Sequence, residues 1–369
     1  MNHESLSAAT RSSFAESFLK SLVAIPSLSK QEHEAVGWLV SQMDALGYDQ
    51  AFIDDAGNAV GILEPPVIGP DTETVMLLGH IDTVPGDVPV SVRDGKLFGR
   101  GSVDAKGSLA TFVLAAAAAQ RPPSRRIVVV GAVEEEATSS KGARFIASHY
   151  RPDWCVIGEP SGSQAVTLGY KGRWHVRGTI ERPAAHSAGP LATTTEVLFD
   201  RWQQMVALRG DLNYEVTSLF RQTQIALDSV NSGSDGMRQW TEFRIGLRLP
   251  PNFDADSFSV RAASILEGAP GSEFTCRIRF EGYETAHQEP RSSSLVQRFN
   301  RAFREQHRQP RHKLKTGTSD MNVVAPVWNC PIVAYGPGDS SLDHTPHEHL
   351  PWEELHAAIK LLTAVLESE

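Results

Sequence analysis

Over its first half, this 369-residue chain alternates continuous apolar runs with segments whose apolar residues recur every three to four positions. TVMLLGH and RIVVVGAV read as strands buried on both faces, whereas FAESFLKSLVAI, EHEAVGWLVSQMDALG and SLATFVLAAAAAQ read as helices. Strands alternating with helices predict a mostly parallel sheet covered on both sides, an α/β domain. Gly47 and Gly107 punctuate the pattern as a helix stop and a turn.

From about Thr167 the order changes to strand (VTLGYKGRWHVRGTIE), helix (TTEVLFDRWQQMVAL), two strands (TSLFRQTQIALDSVN and WTEFRIGLRL), helix (DSFSVRAASILEG) and strand (EFTCRIRFEGYE). This β-α-β-β-α-β order predicts a ferredoxin-like α+β unit. PIVAYG and EELHAAIKLLTAVLE then resume the α/β pattern, so the unit is an insertion. The expected layout is a catalytic domain over residues 1–166 and 287–369, with a lid and dimerisation domain at 167–286. The length suits two domains better than one.

Five potential metal ligands, His80, Asp104, Glu136, Glu159 and His344, lie in LLGHIDTVPG, GRGSVDAKGS, VVVGAVEEEATSS, CVIGEPSG and AYGPGDSSLDHTPHEHL, each just beyond an apolar strand-like run. In an open α/β sheet the ligand crevice sits at the carboxyl ends of the strands, so residues distant in sequence converge there. Oxygen and imidazole donors without a CxxC pair suit Zn²⁺, Co²⁺ or Mn²⁺.

Each residue also has a plainer reading. His80 and Asp82 are two apart and share one side of an extended segment; Asp82 either fixes the His80 tautomer for metal binding or serves as a turn residue. Asp104, ahead of Ala-Lys-Gly-Ser and a strong helix, reads on its own as an N-cap. Glu134, Glu135 and Glu136 follow RIVVVGAV directly; adjacent carboxylates repel unless cations are near, and a solvated acidic loop is the alternative. His347, Glu348 and His349 rival His344, and spacing alone does not choose among them.

A formal net charge of −9 and a pI near 5.8 argue against nucleic acid as a partner, the basic clusters at 121–126 and 301–315 reading as solvated faces. Cys155, Cys276 and Cys330 are odd in number and set in apolar contexts, as buried thiols in a reducing compartment would be. MNHESLSAATRSSF lacks a secretory signal pattern, and the longest apolar stretch, 109–119, is too short to span a bilayer. A cytoplasmic protein without membrane partners is expected.

Taken in order, GHIDTVPG, GRGSVDAKG, VEEEATSSKGA, GEPSG, AAHSAGP, GTSDMN and DHTP resemble the dizinc metallopeptidase family of acetylornithine deacetylase, succinyl-diaminopimelate desuccinylase, aminoacylases and glutamate carboxypeptidase. VGAVEEEATSSKGA, GYKGRW, NSGSDGMRQWTEF and LDHTPHEHL look most like the branch that releases lysine or ornithine from an amino-group carrier protein. The resemblance implies two Zn²⁺ per subunit, with Co²⁺ as a substitute, bridged by Asp104. His80 and Glu159 would complete one site, Glu136 and His344 the other. It implies Glu135 as general base, Asp82 orienting His80, His186 as an oxyanion donor from the partner subunit of a homodimer, and Arg248 and Asn231 holding the substrate carboxylate. Glu134 stands where the family usually has another acid before the glutamate pair.

The activity so implied is hydrolysis of the amide joining lysine or ornithine to an acidic carrier protein, the releasing step of lysine or arginine synthesis. A small-molecule deacylase or dipeptidase, and a non-catalytic metal-binding protein, are the competing readings. The segment Lys171-Gly-Arg-Trp174 is a candidate basic edge for the carrier, or else a solvated strand edge.

Overall fold

The computed structural model describes residues 8–186, 189–268 and 273–368. The stretch read for a secretory signal lies partly outside these residues, and so do Ser187 and Ala188 of AAHSAGP. The chain forms two compact units: residues 1–169, 288–314 and 319–369 in one, 170–287 and 315–318 in the other.

The first unit is built on a nine-stranded sheet. At its centre Arg125–Ala132, Glu73–His80, Trp154–Gly158 and Ile332–Ala334 lie side by side, all parallel. Their Val, Ile and Leu runs are buried on both faces, as a parallel sheet sandwiched by helices requires. Antiparallel strands, Ala59–Leu63 on one side and Ala165–Tyr170 on the other, extend it. The helix Lys106–Ala118 is buried continuously from Lys106 to Ala116 and packs on the sheet beneath the helices Ala8–Ala24 and Trp352–Glu367. Its all-round apolar sequence follows from that burial.

Register decides what meets at the strand ends. His80 lies opposite Ala132, and Gly79 opposite Gly158. A Cβ on Gly158 would sit 2.8 Å from the Gly79 Cα and 3.0 Å from the Phe112 ring. Glycine here lets two strand ends and the buried helix approach closely, which brings the residues just beyond them together.

The second unit is a four-stranded antiparallel sheet in the order Gln224–Ser234, Arg238–Leu249, Gly172–Pro183, Thr275–Glu284, with the helices Thr194–Leu212 and Ala255–Glu267. This is the ferredoxin-like arrangement. Val176, Ile180, Ile245, Leu247, Phe258 and Leu266 form its separate core. The first helix opens with a capping box, the Thr193 hydroxyl accepting from the Glu196 amide while the Glu196 carboxylate accepts from the Thr193 amide, a cap worth about 1 kcal/mol.

Two strand expectations change. VTLGYKGRWHVRGTIE is not one strand but two, Ala165–Tyr170 and Gly172–Pro183, broken at Lys171. Lys171 is fully buried, its ammonium donating to the carbonyl oxygens of Leu219 (3.1 Å) and Gln222 and to Gln224 Oε1 (3.3 Å). An exposed basic edge is therefore the wrong description of this residue. The same contacts turn residues 217–223 of TSLFRQTQIALDSVN into a looped segment, and the strand begins only at Gln224.

Candidate metal centre

His80 ends its strand at 2% exposure, with Nδ1 3.0 Å from the Asp82 backbone carbonyl and 3.5 Å from Asp82 Oδ1. In the neutral ring, an Nδ1–H donating to that carbonyl leaves Nε2 as the lone pair. Nε2 faces Asp104 Oδ1 at 3.4 Å. Asp82 is fully buried, and its carboxylate serves the acidic triplet more than the imidazole: Oδ1 accepts the Glu135 amide and Oδ2 the Glu136 amide, each at 3.0 Å, and Oδ2 also accepts the Ser29 hydroxyl at 2.7 Å.

Asp104 does not cap the following helix, whose N-cap is Ala105. Its carboxylate spans two histidines instead, Oδ2 lying 3.0 Å from His344 Nε2. Burial opposes ionisation of Asp104, yet hydrogen bonds from His344 and His80 hold its carboxyl well below the usual carboxylate range.

The three adjacent glutamates are separated by their backbone anchors. The Glu134 amide donates to Glu32 Oε1 at 3.1 Å and its side chain accepts the Ser139 hydroxyl at 2.6 Å. Glu136 Oε1 lies 3.0 Å from His344 Nε2. Burial, and then the charges of Asp320, Glu159 and Glu136, push the Glu135 carboxyl well up, with His80 opposing them. Hydrogen bonds to Asp104 and Glu136 raise the His344 imidazole to about 10.

Among the described residues, three sets of donor atoms converge within 4.8 Å: His80, Asp104 and Glu159; Asp104, Glu136 and His344; and His80, Glu135 and Glu136. The first two share Asp104 and together use all five residues expected as ligands. Carboxylates outnumber imidazoles in this cluster, and the histidines are drawn towards the protonated form by the surplus negative charge. Oxygen and nitrogen donors with that surplus fit divalent cations. Of the rivals to His344, His349 gives Nδ1 to the His347 carbonyl at 2.7 Å and stacks on Phe98, His347 is exposed, and Glu348 is buried against Arg100.

The remaining expected site residues belong to the second unit. His186 is exposed beyond the strand Gly172–Pro183, Asn231 is exposed on Gln224–Ser234, and Arg248 on Arg238–Leu249 gives Nη1 to Thr318 Oγ1 at 3.1 Å. Sequence reading missed several groups around the cluster: buried Glu32 and half-buried Ser29, which tether the triplet and Asp82; buried Asp320, whose charge bears on Glu135; and buried Lys106, whose ammonium donates to the carbonyls of Leu22 (3.2 Å) and Ile25 (2.7 Å). Asp320 stood in the GTSDMN segment, but nothing in its spacing marked it as acting on Glu135.

The fold and this cluster define a metal-dependent amide hydrolase. The chain belongs to peptidase family M20/M25/M40, whose family profile matches residues 76–368. It is 43% identical to the "[LysW]-lysine hydrolase" of Deinococcus radiodurans over 95% of this chain and 96% of that one. To a "putative [LysW]-lysine/[LysW]-ornithine hydrolase" of Thermococcus kodakarensis it is 38% identical, over 95% of this chain and 90% of that one. A Bacillus subtilis protein described as a dinuclear metal binding peptidase of the M20 family shares the fold, with a TM-score of 0.73 at 12% identity over 97% of this chain and 98% of that one.

Proposed function

We propose that this protein hydrolyses the amide joining lysine, with ornithine as a second substrate, to an acidic amino-group carrier protein of the LysW type, releasing the amino acid in lysine or arginine biosynthesis in the cytoplasm. The observation that carries this reading is the 43% identity, sustained over nearly the whole of both chains, to a relative named for that reaction.

Two divalent ions, Zn²⁺ with Co²⁺ as a substitute, would be held by His80, Asp104 and Glu159 and by Asp104, Glu136 and His344; such ions acidify water and polarise a carbonyl. Once those five residues are used as ligands, Glu135 is the carboxylate of the cluster left over, within 4.8 Å of His80 and Glu136 and so placed to carry a proton. Glu135 takes a proton from the attacking water and returns it to the departing amine, so water adds across the C–N bond and Glu135 ends as it began. His186, from the partner subunit of a homodimer, donates to the oxyanion developing on the carbonyl oxygen. Arg248 grips the α-carboxylate of the amino acid with its planar guanidinium; Asn231, opposite Glu242 and six residues along the paired strands from Arg248, roughly 20 Å, would reach that carboxylate only from the partner subunit.

The test is a comparison of turnover by the metal-loaded enzyme on carrier-linked lysine, carrier-linked ornithine, acetylornithine and succinyl-diaminopimelate. A clear preference for the carrier-linked substrates is expected. Faster turnover of a small acylated amino acid would replace this reading with a general deacylase.

A further inference from the structure

Glu348 is fully buried four residues after His344, and its contacts go to the loop that carries Asp104. Oε1 accepts the amides of Val103 at 2.9 Å and Asp104 at 3.2 Å. Oε2 pairs with Arg100 Nη1 at 2.7 Å, and Arg100 in turn gives Nε to the Gly86 carbonyl at 2.8 Å. The Glu348 carbonyl accepts the Gly99 amide at 3.4 Å. Directly afterwards the strand His349–Pro351 pairs antiparallel with Lys96–Phe98, His349 opposite Phe98. One carboxylate thus ties the segment bearing His344 to the segment bearing Asp104, at the edge of a small sheet that the first enters and the second leaves.

We infer that Glu348, locked by Arg100, is a positioning residue that sets the spacing between Asp104 and His344. Neither group touches the donor cluster; Glu348 acts through the Asp104 backbone and through its own short connection to His344. The physical reason is pre-organisation. His344 sits at a φ of +60°, on a loop whose ring is 52% exposed, and an exposed loop ligand has little packing to hold it. A buried carboxylate accepting two amides and a guanidinium supplies the missing rigidity. Burial raises the Glu348 carboxyl, while the amides and Arg100 favour its charged form, so the arrangement depends on all its donors being present.

The inference rests on the proposed metal assignment, and the experiment separates the two. Metal-free wild type, Glu348→Gln and Arg100→Met are titrated with Co²⁺, reading the visible spectrum and the affinity of each equivalent, with far-UV circular dichroism as the check on folding. Wild type should take up two ions, and either variant should lower the affinity of one equivalent by roughly 10- to 100-fold, the usual effect of removing a group that orients a metal ligand, with a changed spectrum for that ion. Glu348→Gln keeps an acceptor for the two amides and should be the milder. Wild-type affinity and spectrum in both folded variants overturn the clamp alone, whereas failure of the wild type to bind two ions overturns the metal assignment. Should one variant fold poorly, the other carries the same comparison.

Discussion

The backbone amide of Glu135 donates to the buried Asp82 carboxylate at 3.0 Å, so the residue two beyond His80 on the chain is also the one that fixes where the expected base begins. With the Glu136 amide on its other oxygen, Asp82 holds two consecutive glutamates in one orientation. A carboxylate that receives several N–H bonds is both stabilised as an anion and immobilised, and burial of Asp82 is outweighed by its bonds from His80 and Ser29.

Asp82→Ala removes the acceptors for both amides and leaves them buried without partners, so metal affinity and turnover should fall together, by about 10-fold or more. Asp82→Asn retains one carbonyl oxygen and should lie between alanine and wild type. Metal content by emission spectroscopy, paired with turnover, is the check; a fully loaded, fully active Asp82→Ala enzyme would remove the positioning role.

Glu135→Ala and Glu136→Ala should separate cleanly. The first is expected to keep two ions and lose roughly 10²–10⁴-fold in kcat, the range for a positioned general base. The second should lose an ion, because Glu136 shares His344 with Asp104. Exchanged phenotypes would mean that Glu135 is the ligand and Glu136 the base, the register of the acidic triplet being shifted by one.

Lys171→Met should destabilise the protein by about 1–3 kcal/mol, since the carbonyls of Leu219 and Gln222 lose a charged donor in a buried place. Urea unfolding measures this. Turnover on carrier-linked lysine per folded molecule should be unchanged. A selective loss of carrier turnover at full stability would return Lys171 to the docking role that its burial argues against.

His186→Ala should depress kcat well beyond KM while both ions remain, as loss of a transition-state contact does. If the residue acts across a homodimer, mixing this variant with Glu135→Ala should restore activity in the mixed dimers. Inactive mixed dimers of verified composition would assign the donor to the same chain as the metals.

Much of the fold was legible because it is written in periodicity. TVMLLGH and RIVVVGAV are too continuously apolar to be anything but central strands, and they occupy the parallel centre of the sheet. The convergence of His80, Glu136 and Glu159 was legible for a related reason, since each follows an adjacent parallel strand; Asp104 and His344, whose donor atoms meet theirs, come from loops away from those strand ends. What escaped the sequence is what depends on three-dimensional accounting of hydrogen bonds. Lys171 and Glu348 look like surface charges in the sequence, yet each is buried because several main-chain groups need it. No periodicity encodes that need. VTLGYKGRWHVRGTIE looks like one strand for the same reason, its break being set by a tertiary contact of Lys171 and not by a local turn residue.

The second unit interrupts the first, and this places the cluster's residues on both sides of the interruption. His80, Asp104 and Glu159 precede it and His344 follows it, 185 residues after Glu159 (344 − 159). On a ribosome adding about 5–20 residues per second, that gap lasts on the order of ten to forty seconds. For that time a nascent chain carries three donors of one set and lacks the last donor of the other. On the proposed metal assignment, full metal uptake therefore reports that translation has run past the insertion, and a fragment cut short within it retains at most a partial site.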